Sequence, residues 1–455
     1  MTQENQLSSL PSIQHAIVKV VGIFDYKKQF QNEVLGKLGY ELMPISKMGR
    51  SEDLTQFYRD KYYKEFNELL LIRGKDKSVK SYQADLNLEM NFKKRDRNGA
   101  VRDMKPKLKR SEVHLFDSGI GIFSLSIDAS HENPDFPYYS DLLFMLKSFS
   151  SSEEKSGLQF HSWISNYVLG GVLLRSEDVE KPVESDEYSG SKFKIYSAFS
   201  VNEIGANSNY NRDHLLYEIG TGSMLGCVSN ESYLTPSEEY YSELTEFRVS
   251  AFQSWTGLAL LDSYTAIGNN LITNHNGSVN EDAFVTQDRI YFSIYLFNLY
   301  LKYNVFRFNS KFKDDPVRYK GRFEDFINEY NYSHISFDFL PNMIYSKMRA
   351  ALGIENEIKQ FEKRLNSLAS NIQEEQEKRQ AALLGIISII SSISAFEPII
   401  ETIEQVREFT GLEDTLFCVL LSIVSIALAI PILSYLFPHY AKKAWKTLND
   451  YFTND

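Results

Sequence analysis

The sequence predicts an α+β domain, followed by a long stalk helix and a two-helix transmembrane hairpin. Three observations lead to this fold class. Residues 1–285 alternate short strand-like and helical segments, residues 354–372 carry an apolar heptad repeat, and residues 415–438 form an uncharged run. At ~1.5 Å per residue, such a run crosses a hydrocarbon core of about 30 Å as a helix. A buried helix in a large core is the alternative, although soluble helices rarely run this long without a charge.

The composition excludes several classes of protein. The chain has 455 residues, with 49 Lys and Arg against 60 Asp and Glu, which gives a net charge of −11. Hydrophobic residues make up 43%, which is enough to bury a core and excludes wholesale disorder. The acidic balance argues against a protein that coats DNA or RNA. Two cysteines provide neither a disulfide framework nor a thiolate metal site, and residues 1–14 lack the apolar segment of a secretory signal.

These patterns divide the chain into five parts. They are a cytoplasmic α/β sensor domain at 1–285, a helical connector at 286–340, a coiled-coil-like stalk helix at 341–380, a transmembrane hairpin at 381–437 with an acidic outer loop at 397–414, and a basic cytoplasmic tail at 438–455. Strands are predicted at 15–24, 113–127, 193–199 and 257–266. Helices are predicted at 51–71, 138–149, 238–254, 287–308 and 323–330.

The stalk is predicted from its heptad pattern. Apolar residues recur at spacings of 4, 3, 4, 3 and 4, namely Ile354, Ile358, Phe361, Leu365, Leu368 and Ile372. No proline interrupts residues 342–396, so one helix is expected to run from there into the first span. An amphipathic helix packed on the N-terminal domain is the alternative interpretation of the same repeat.

The first span is predicted at residues 381–400, of which 381–396 are uncharged. Its small residues either permit close helix packing or line a wet path, and both interpretations stay open. They are Gly385, Ser388, Ser391, Ser392 and Ser394. Basic residues flank the hairpin on both sides, as at Arg379 and Lys442. The positive-inside rule therefore predicts a multi-pass inner-membrane protein with both termini in the cytoplasm.

Four glutamates beyond the first span recur at spacings of 4, 3 and 4, which places them on one helix face. They are Glu397, Glu401, Glu404 and Glu408. In a symmetric oligomer each would form a ring that concentrates cations at an outer mouth. A solvated face of an extramembrane helix is the alternative. The helix is expected to end at Thr410-Gly411, where glycine suits a C-terminal cap.

A basic segment of net charge +7 lies in the predicted sensor domain. It contains Lys93, Lys94, Arg95, Arg97, Arg102, Lys105, Lys107, Lys109 and Arg110, opposed by Asp96 and Asp103. A phosphate-bearing ligand, an anionic lipid surface and a solvated loop are three open interpretations. No hydrolytic, redox or zinc motif is present, so no enzymatic activity is expected. The glycines between 220 and 226 are interpreted as a turn, because no phosphate-loop pattern follows them.

The order of a cytoplasmic α/β domain, a long helix, a first span, an acidic outer loop and a second span resembles the CorA family of divalent-cation channels. The resemblance implies a homopentamer whose first span lines the pore. The family's Gly-Met-Asn motif is absent, and Ala395-Phe396-Glu397-Pro398 stands in its place. In this respect the chain is similar to divergent CorA-like membrane effectors of type III CRISPR antiviral systems. That similarity implies gating by an adenylate-type messenger, a cyclic oligoadenylate or adenylated S-adenosylmethionine.

Three functions are weighed on this basis. The first is a homo-oligomeric, messenger-gated channel that permeabilises the inner membrane in antiviral defence. The second is a divalent-cation transporter of the magnesium type, and the third is a membrane-tethered binding protein without a pore. The expected partners are the lipid bilayer, further copies of the chain and a small nucleotide. No covalent cofactor is expected, and a divalent cation is the only metal considered.

Overall fold

The computed structural model describes residues 10–26, 39–42, 58–67, 69, 79–95, 101–147, 193–202, 211–228, 235–312, 316–410, 418, 419 and 422. Its strands are β1 Ile13–Asp25, β2 Glu41–Leu42, β3 Val79–Glu89, β4 Phe92–Arg95, β5 Val101–Met104, β6 Lys107–Phe116, β7 Ile120–Asp128, β8 Lys194–Val201, β9 Arg248–Val249, β10 Trp255–Ala259 and β11 Ser263–Asn269. Its α-helices are α1 Lys64–Phe66, α2 Phe136–Lys147, α3 Arg212–Thr221, α4 Glu238–Thr245, α5 Glu281–Val285, α6 Phe292–Lys311, α7 Pro316–Tyr330, α8 Phe339–Ala351 and α9 Ile354–Thr410. A 3-10 turn spans Ser130–Glu132, and a π-helical turn spans Thr286–Tyr291.

Nine of the described strands form one sheet in the order β2-β3-β6-β7-β1-β8-β11-β10-β9, and β4 and β5 form a separate hairpin. Neighbouring strands are antiparallel except β8 and β11, which pair in parallel across a crossover that contains α3 and α4. The chain has two compact units, Met1–Glu362 and Lys363–Asp455, and the sheet belongs to the first. Strand β1 therefore lies at the centre of the sheet, between β7 and β8.

One face of the sheet is apolar. Val18, Val20, Leu125 and Phe199 point into a hydrophobic core with helices α2 and α3. Glycines let aromatic rings lie flat across this part of the sheet, because a Cβ built on Gly22 would meet the Phe123 ring at 2.2 Å. The alternation of β-branched and aromatic residues in these strands explains their pairing, since such side chains pack well on a pleated surface.

The opposite face of the sheet is covered by the π-helical turn and α6. Tyr196 donates a hydrogen bond from its hydroxyl to the Gln287 carbonyl at 2.7 Å, and its ring lies 5.2 Å from that of Phe292. Further along α6, Tyr300 stacks on Phe116 of β6 with ring centroids 3.9 Å apart. Helices therefore cover both faces of this largely antiparallel, mixed sheet, as an α+β domain requires.

Most strands and helices predicted in the first unit are confirmed. The segment 113–127 forms the hairpin of β6 and β7, with Gly119 at φ 85° in the turn. The glycine turn after α3 is also confirmed, because Gly222 and Gly226 both have positive φ. The helix predicted at 238–254 is shorter, since α4 gives way to strand β9. The predicted helix at 51–71 lies partly outside the described residues.

The long helix from residue 342 is interrupted. Helix α8 ends at Ala351, and Gly353 adopts φ 67° before α9 begins at Ile354. A left-handed residue ends the hydrogen-bond ladder of a helix, and glycine adopts that conformation without steric cost. The first heptad positions pack within the first unit. Phe361, for example, packs edge-on against Phe312 at 5.4 Å and against Phe323 at 4.7 Å.

The predicted transmembrane hairpin is wrong for the part of the chain that the structure describes, where no helix combines enough length and apolarity to cross a membrane. The uncharged run at 381–396 is 16 residues, or ~24 Å of helix against a ~30 Å core. It continues within α9 into Glu397 and Pro398. The second predicted span lies outside the described residues except at Cys418, Val419 and Ser422. The predicted ion channel and multi-pass inner-membrane location, which depended on this hairpin, are withdrawn with it.

Candidate ligand site

Charged side chains are buried on the face of the sheet beneath the π-helical turn. Arg110 of β6 and Lys19 of β1 are both register partners of Ser126 on β7, so the three residues form one row across three strands. Antiparallel partners share a face of the sheet. The π-helical turn adds Asp288 and Arg289, and Glu112 stands two residues beyond Arg110 on β6. We call Lys19, Arg110, Glu112, Asp288 and Arg289 the charge network.

Lys19 is the innermost member of the charge network. Its Nζ lies 2.9 Å from Asp288 Oδ1, donates to the Asp288 carbonyl at 2.8 Å and lies 3.9 Å from Glu112 Oε2. The same ammonium lies 4.0 Å from the centroid of the Phe292 ring. The side chain is 0% exposed, so these partners replace water around the charge.

Glu112 and Asp288 bind the two arginines. Arg289 donates to Glu112 Oε1 at 2.5 Å, and its Nε lies 3.2 Å from Asp288 Oδ2. Arg110 bridges the same carboxylates, with Nε 3.0 Å from Glu112 Oε1 and Nη2 donating to Asp288 Oδ2 at 3.2 Å. The polar row continues towards β3, where Ser81 and His114 are hydrogen-bonded at 2.9 Å.

Burial and ion pairing act in opposite directions on the pKa values of the charge network. Burial raises the pKa of Glu112, but Arg289, Lys19 and Arg110 outweigh it and hold that pKa well below its ordinary value. Burial likewise raises the pKa of Asp288, and the same three cations lower it below its ordinary value. Burial lowers the pKa of Lys19 in spite of both carboxylates. Both carboxylates are therefore ionised at neutral pH.

The charge network opens to solvent at Arg110. The side chains of Lys19, Glu112 and Asp288 are at most 5% exposed, whereas that of Arg110 is 24% exposed. With Lys19 protonated, the charge network has three cations against two carboxylates. Beside it, the buried atoms Ser126 Oγ and Gln287 Oε1 have no hydrogen-bond partner among the described residues. Such atoms are sites where a ligand or a water gains free energy by binding.

The rim of this opening contains both signs of charge. Lys109 lies 3.4 Å from Asp128, and the exposed Asp85 is the register partner of Arg110 on β3. His15 packs its ring against Phe284 at 5.8 Å. Burial lowers the pKa of His15, against the opposing effect of Asp128 and Asp288. An incoming anion therefore meets carboxylates as well as cations at the rim.

The structure disperses the basic segment predicted from the sequence. Arg102 donates to Asp141 at 3.2 Å, and Lys93 lies 3.9 Å from Asp103 across the β4–β5 hairpin. Lys105 is exposed and Lys107 is half-buried. Lys94 and Arg95 belong to β4, and Arg97 lies outside the described residues. Among the predicted residues whose side chains the structure describes, Arg110 is the one that belongs to the charge network, and Lys109 flanks it.

The residues predicted to line a pore and to form its mouth all belong to helix α9, which is described as far as Thr410. Ser388, Ser391, Ser394 and Glu401 are exposed, and Gly385 is buried. The remaining predicted residues are helix positions of α9, namely Ser392, Glu397, Glu404 and Glu408. Their predicted roles presupposed a membrane span and are not proposed further.

Sequence analysis missed four members of the charge network, Lys19, Glu112, Asp288 and Arg289. A signal for each was present. Lys19 is a single charge inside the apolar segment 15–24, and Glu112 precedes an apolar run. Asp288 and Arg289 open the amphipathic segment 287–308. A charge at a position where the pattern demands burial indicates a buried partner, because an unpaired buried charge is costly.

In comparison with known proteins, neither a family model, nor a curated protein, nor a solved structure matches the chain.

Proposed function

We propose that this protein is a non-enzymatic receptor for a small phosphate-bearing ligand, which it binds at the Arg110 end of the charge network. One observation carries the proposal: a set of paired charges, otherwise buried, reaches solvent at Arg110, whose guanidinium bridges both acids. Buried ion pairs contribute little net stability compared with apolar packing. A sheet face that retains six ion pairs among five residues, beside a π-helical turn, is better explained by a function, since such turns are frequent at functional sites.

Binding is favoured over catalysis by the state of the ionisable groups. The lowered pKa values of Glu112 and Asp288 keep both carboxylates ionised at neutral pH, so neither is poised to exchange protons there. Lys19 has no exposed surface with which to contact a substrate. Arg110 offers a planar guanidinium, which suits bidentate recognition of a phosphate.

The class of ligand proposed is an adenylate-type messenger, which is what the resemblance to CorA-like effectors implies. Arg110 and the neighbouring Ser126 hydroxyl would contact a phosphate, and Lys109 would add long-range attraction. A cyclic oligoadenylate and adenylated S-adenosylmethionine both contain such phosphates.

Calorimetric titration of the full chain tests the proposal. The ligands are cyclic tri-, tetra- and hexa-adenylate, adenylated S-adenosylmethionine and pyrophosphate, with adenosine as the uncharged control. Because a hydrogen bond to a charged group contributes about 1.5–3 kcal/mol, Arg110→Gln is expected to weaken binding by about 10- to 150-fold. The matched control is Lys93→Gln, which removes an exposed charge from the same basic segment. Equal weakening by both variants, or no binding of any phosphate, would refute the proposal.

Self-association is a second candidate function, favoured by a separate observation on α9. Large apolar side chains there are more than half exposed on the single chain, namely Leu383, Leu384, Ile386, Ile387 and Ile390. A contiguous apolar surface of this kind marks an interaction site. We propose that its occupant is a second copy of the chain, joined in a parallel helical bundle.

The heptad pattern supports a second copy as the partner. Apolar residues recur at spacings of 3, 4, 3, 4 and 3, at Ile386, Ile389, Ile393, Phe396, Ile400 and Ile403. They keep the phase of the earlier repeat, because Ile386 follows Ile372 by two heptads. A seam of this kind is self-complementary when identical helices lie in register.

Light scattering coupled to size-exclusion chromatography measures the mass of the assembly. The wild-type chain is expected to be oligomeric, and Ile386→Glu with Ile393→Glu is expected to reduce its mass. The matched control is Ser388→Glu with Ser391→Glu, which adds the same charges at exposed positions outside the seam. A monomeric wild-type chain at all concentrations would exclude this function.

A further inference from the structure

The π-helical turn Thr286–Tyr291 is held to the sheet by contacts that involve the candidate ligand site. Asp288 receives Lys19 Nζ and Arg110 Nη2, and Arg289 donates to Glu112. The Gln287 carbonyl accepts the Tyr196 hydroxyl. A π-helical turn is rare and occurs mostly as a single turn within an α-helix, so its surroundings are expected to stabilise it. These charged contacts are the stabilising surroundings on the sheet side.

The turn is continuous with helix α6, which contacts the helices that follow. Tyr291 is directly followed by Phe292, the first residue of α6. Lys302 of α6 donates to the Leu352 carbonyl at 2.8 Å and forms an ion pair with Glu357 at the start of α9. A movement of the turn would therefore act on the N-terminal end of α6. Within the first unit, α6 is the helix that contacts the end of α8 and the start of α9.

Arg110 is shared between the ligand proposed above and the turn. Its Nη2 donates to Asp288 Oδ2 at 3.2 Å, and its side chain is the most exposed of the charge network. A phosphate bound to this guanidinium would compete for its donors with Asp288 and would place a second negative charge beside that carboxylate. Like charges a few ångströms apart repel strongly where water is excluded.

We propose that an anion bound at Arg110 and the Asp288 carboxylate compete for the same guanidinium, so that ligand binding loosens the π-helical turn from the sheet. This inference rests on the proposed function and adds the regulation of that site. Binding and release of the turn are linked equilibria, so each affects the other by the same factor. Removing the charge of Asp288 must then strengthen ligand binding, whereas loss of a merely structural residue would weaken it.

Two measurements on the full chain test the coupling, with pyrophosphate and cyclic tetra-adenylate as probes. Asp288→Asn is expected to tighten the affinity for at least one probe by about 5- to 150-fold, the usual range of such couplings. Hydrogen exchange of wild-type protein is expected to speed up in peptides covering 286–291 when that probe is added. Peptides from β10, which lies away from the charge network, serve as the internal reference.

Asp288→Asn leaves three buried cations with one carboxylate, and the variant can fail to fold. The double variant Lys19→Met with Asp288→Asn removes one charge of each sign and keeps the net charge, and the same tightening is expected from it. One result separates the coupling from the proposed receptor function. A probe binds wild-type protein and Arg110→Gln abolishes that binding, but neither Asp288 variant binds the probe more tightly and hydrogen exchange at 286–291 is unchanged. The coupling is then refuted, and the proposed receptor function stands. If no probe binds wild-type protein, the receptor and the coupling both fail.

Discussion

Glu112→Gln is the sharpest test of the charge network. The substitution keeps the shape of the side chain and removes the charge that faces Arg289 at 2.5 Å, Arg110 at 3.0 Å and Lys19 at 3.9 Å. Three buried cations then share Asp288. Removing one partner of a buried ion pair is destabilising by about 3–5 kcal/mol, because the remaining charge is left without compensation. The free energy of unfolding of the sheet-containing unit is expected to fall by that amount.

Chemical denaturation measures this change as a lower midpoint with an unchanged slope. The matched control is Glu89→Gln, which removes the same charge from an exposed position on β3 and is expected to change stability by less than about 0.5 kcal/mol. Adding Arg289→Met to Glu112→Gln removes one of the uncompensated cations and is expected to recover part of the loss. Two results would refute the charge network as a stabilised unit. One is that the stability effects of Glu112→Gln and Arg289→Met simply add, and the other is that Glu112→Gln is as stable as its control.

The remaining predictions concern acid, packing and the start of α9. Because the folded pKa values of Glu112 and Asp288 lie below their ordinary values, their contribution is present at neutral pH and is lost as pH falls below about 4. Denaturation midpoints from pH 7 to pH 3 should fall more steeply for wild type than for Glu112→Gln, and parallel curves would contradict this. Gly22→Ala places a methyl group against the Phe123 ring and is expected to destabilise by about 1–3 kcal/mol, measured by thermal unfolding. Phe361→Ala removes a ring packed edge-on against two others, and a loss of about 3–5 kcal/mol in denaturant is expected.

Local patterns predicted the local structure well. The β-branched segment at 15–24 is β1, and the Ser118-Gly119 punctuation is the turn between β6 and β7. Both depend on residues close together in the chain, so period and turn chemistry suffice. The break at Gly353 was also visible as a glycine near the end of a periodic segment, but the uninterrupted apolar pattern on either side of it suggested one helix.

Single buried charges were visible in the sequence, but their pairing into the charge network could not be predicted, because the members come from β1, β6 and the π-helical turn. Lys19 and Asp288 are 269 residues apart in sequence, and their ion pair depends on the order of the strands in the sheet. The basic segment was recognised for its density of charge. In the structure, however, Lys93, Arg102 and Lys109 form ion pairs with nearby acids. Within the described residues, the first predicted span was wrong because an apolar run of 16 residues was extended across Glu397 and Pro398.

A comparison of the side chains on the two faces of the sheet supports a functional role for the charge network. The face with Val18 and Leu125 is packed mainly by apolar side chains, with buried polar groups such as Ser111 among them. On the other face five charges meet where a π-helical turn interrupts regular geometry, and the one member with substantial exposure bridges both acids. A purely structural role predicts that only stability changes when a member is replaced. A receptor predicts that Arg110→Gln and Asp288→Asn change ligand affinity in opposite directions, whatever they do to stability.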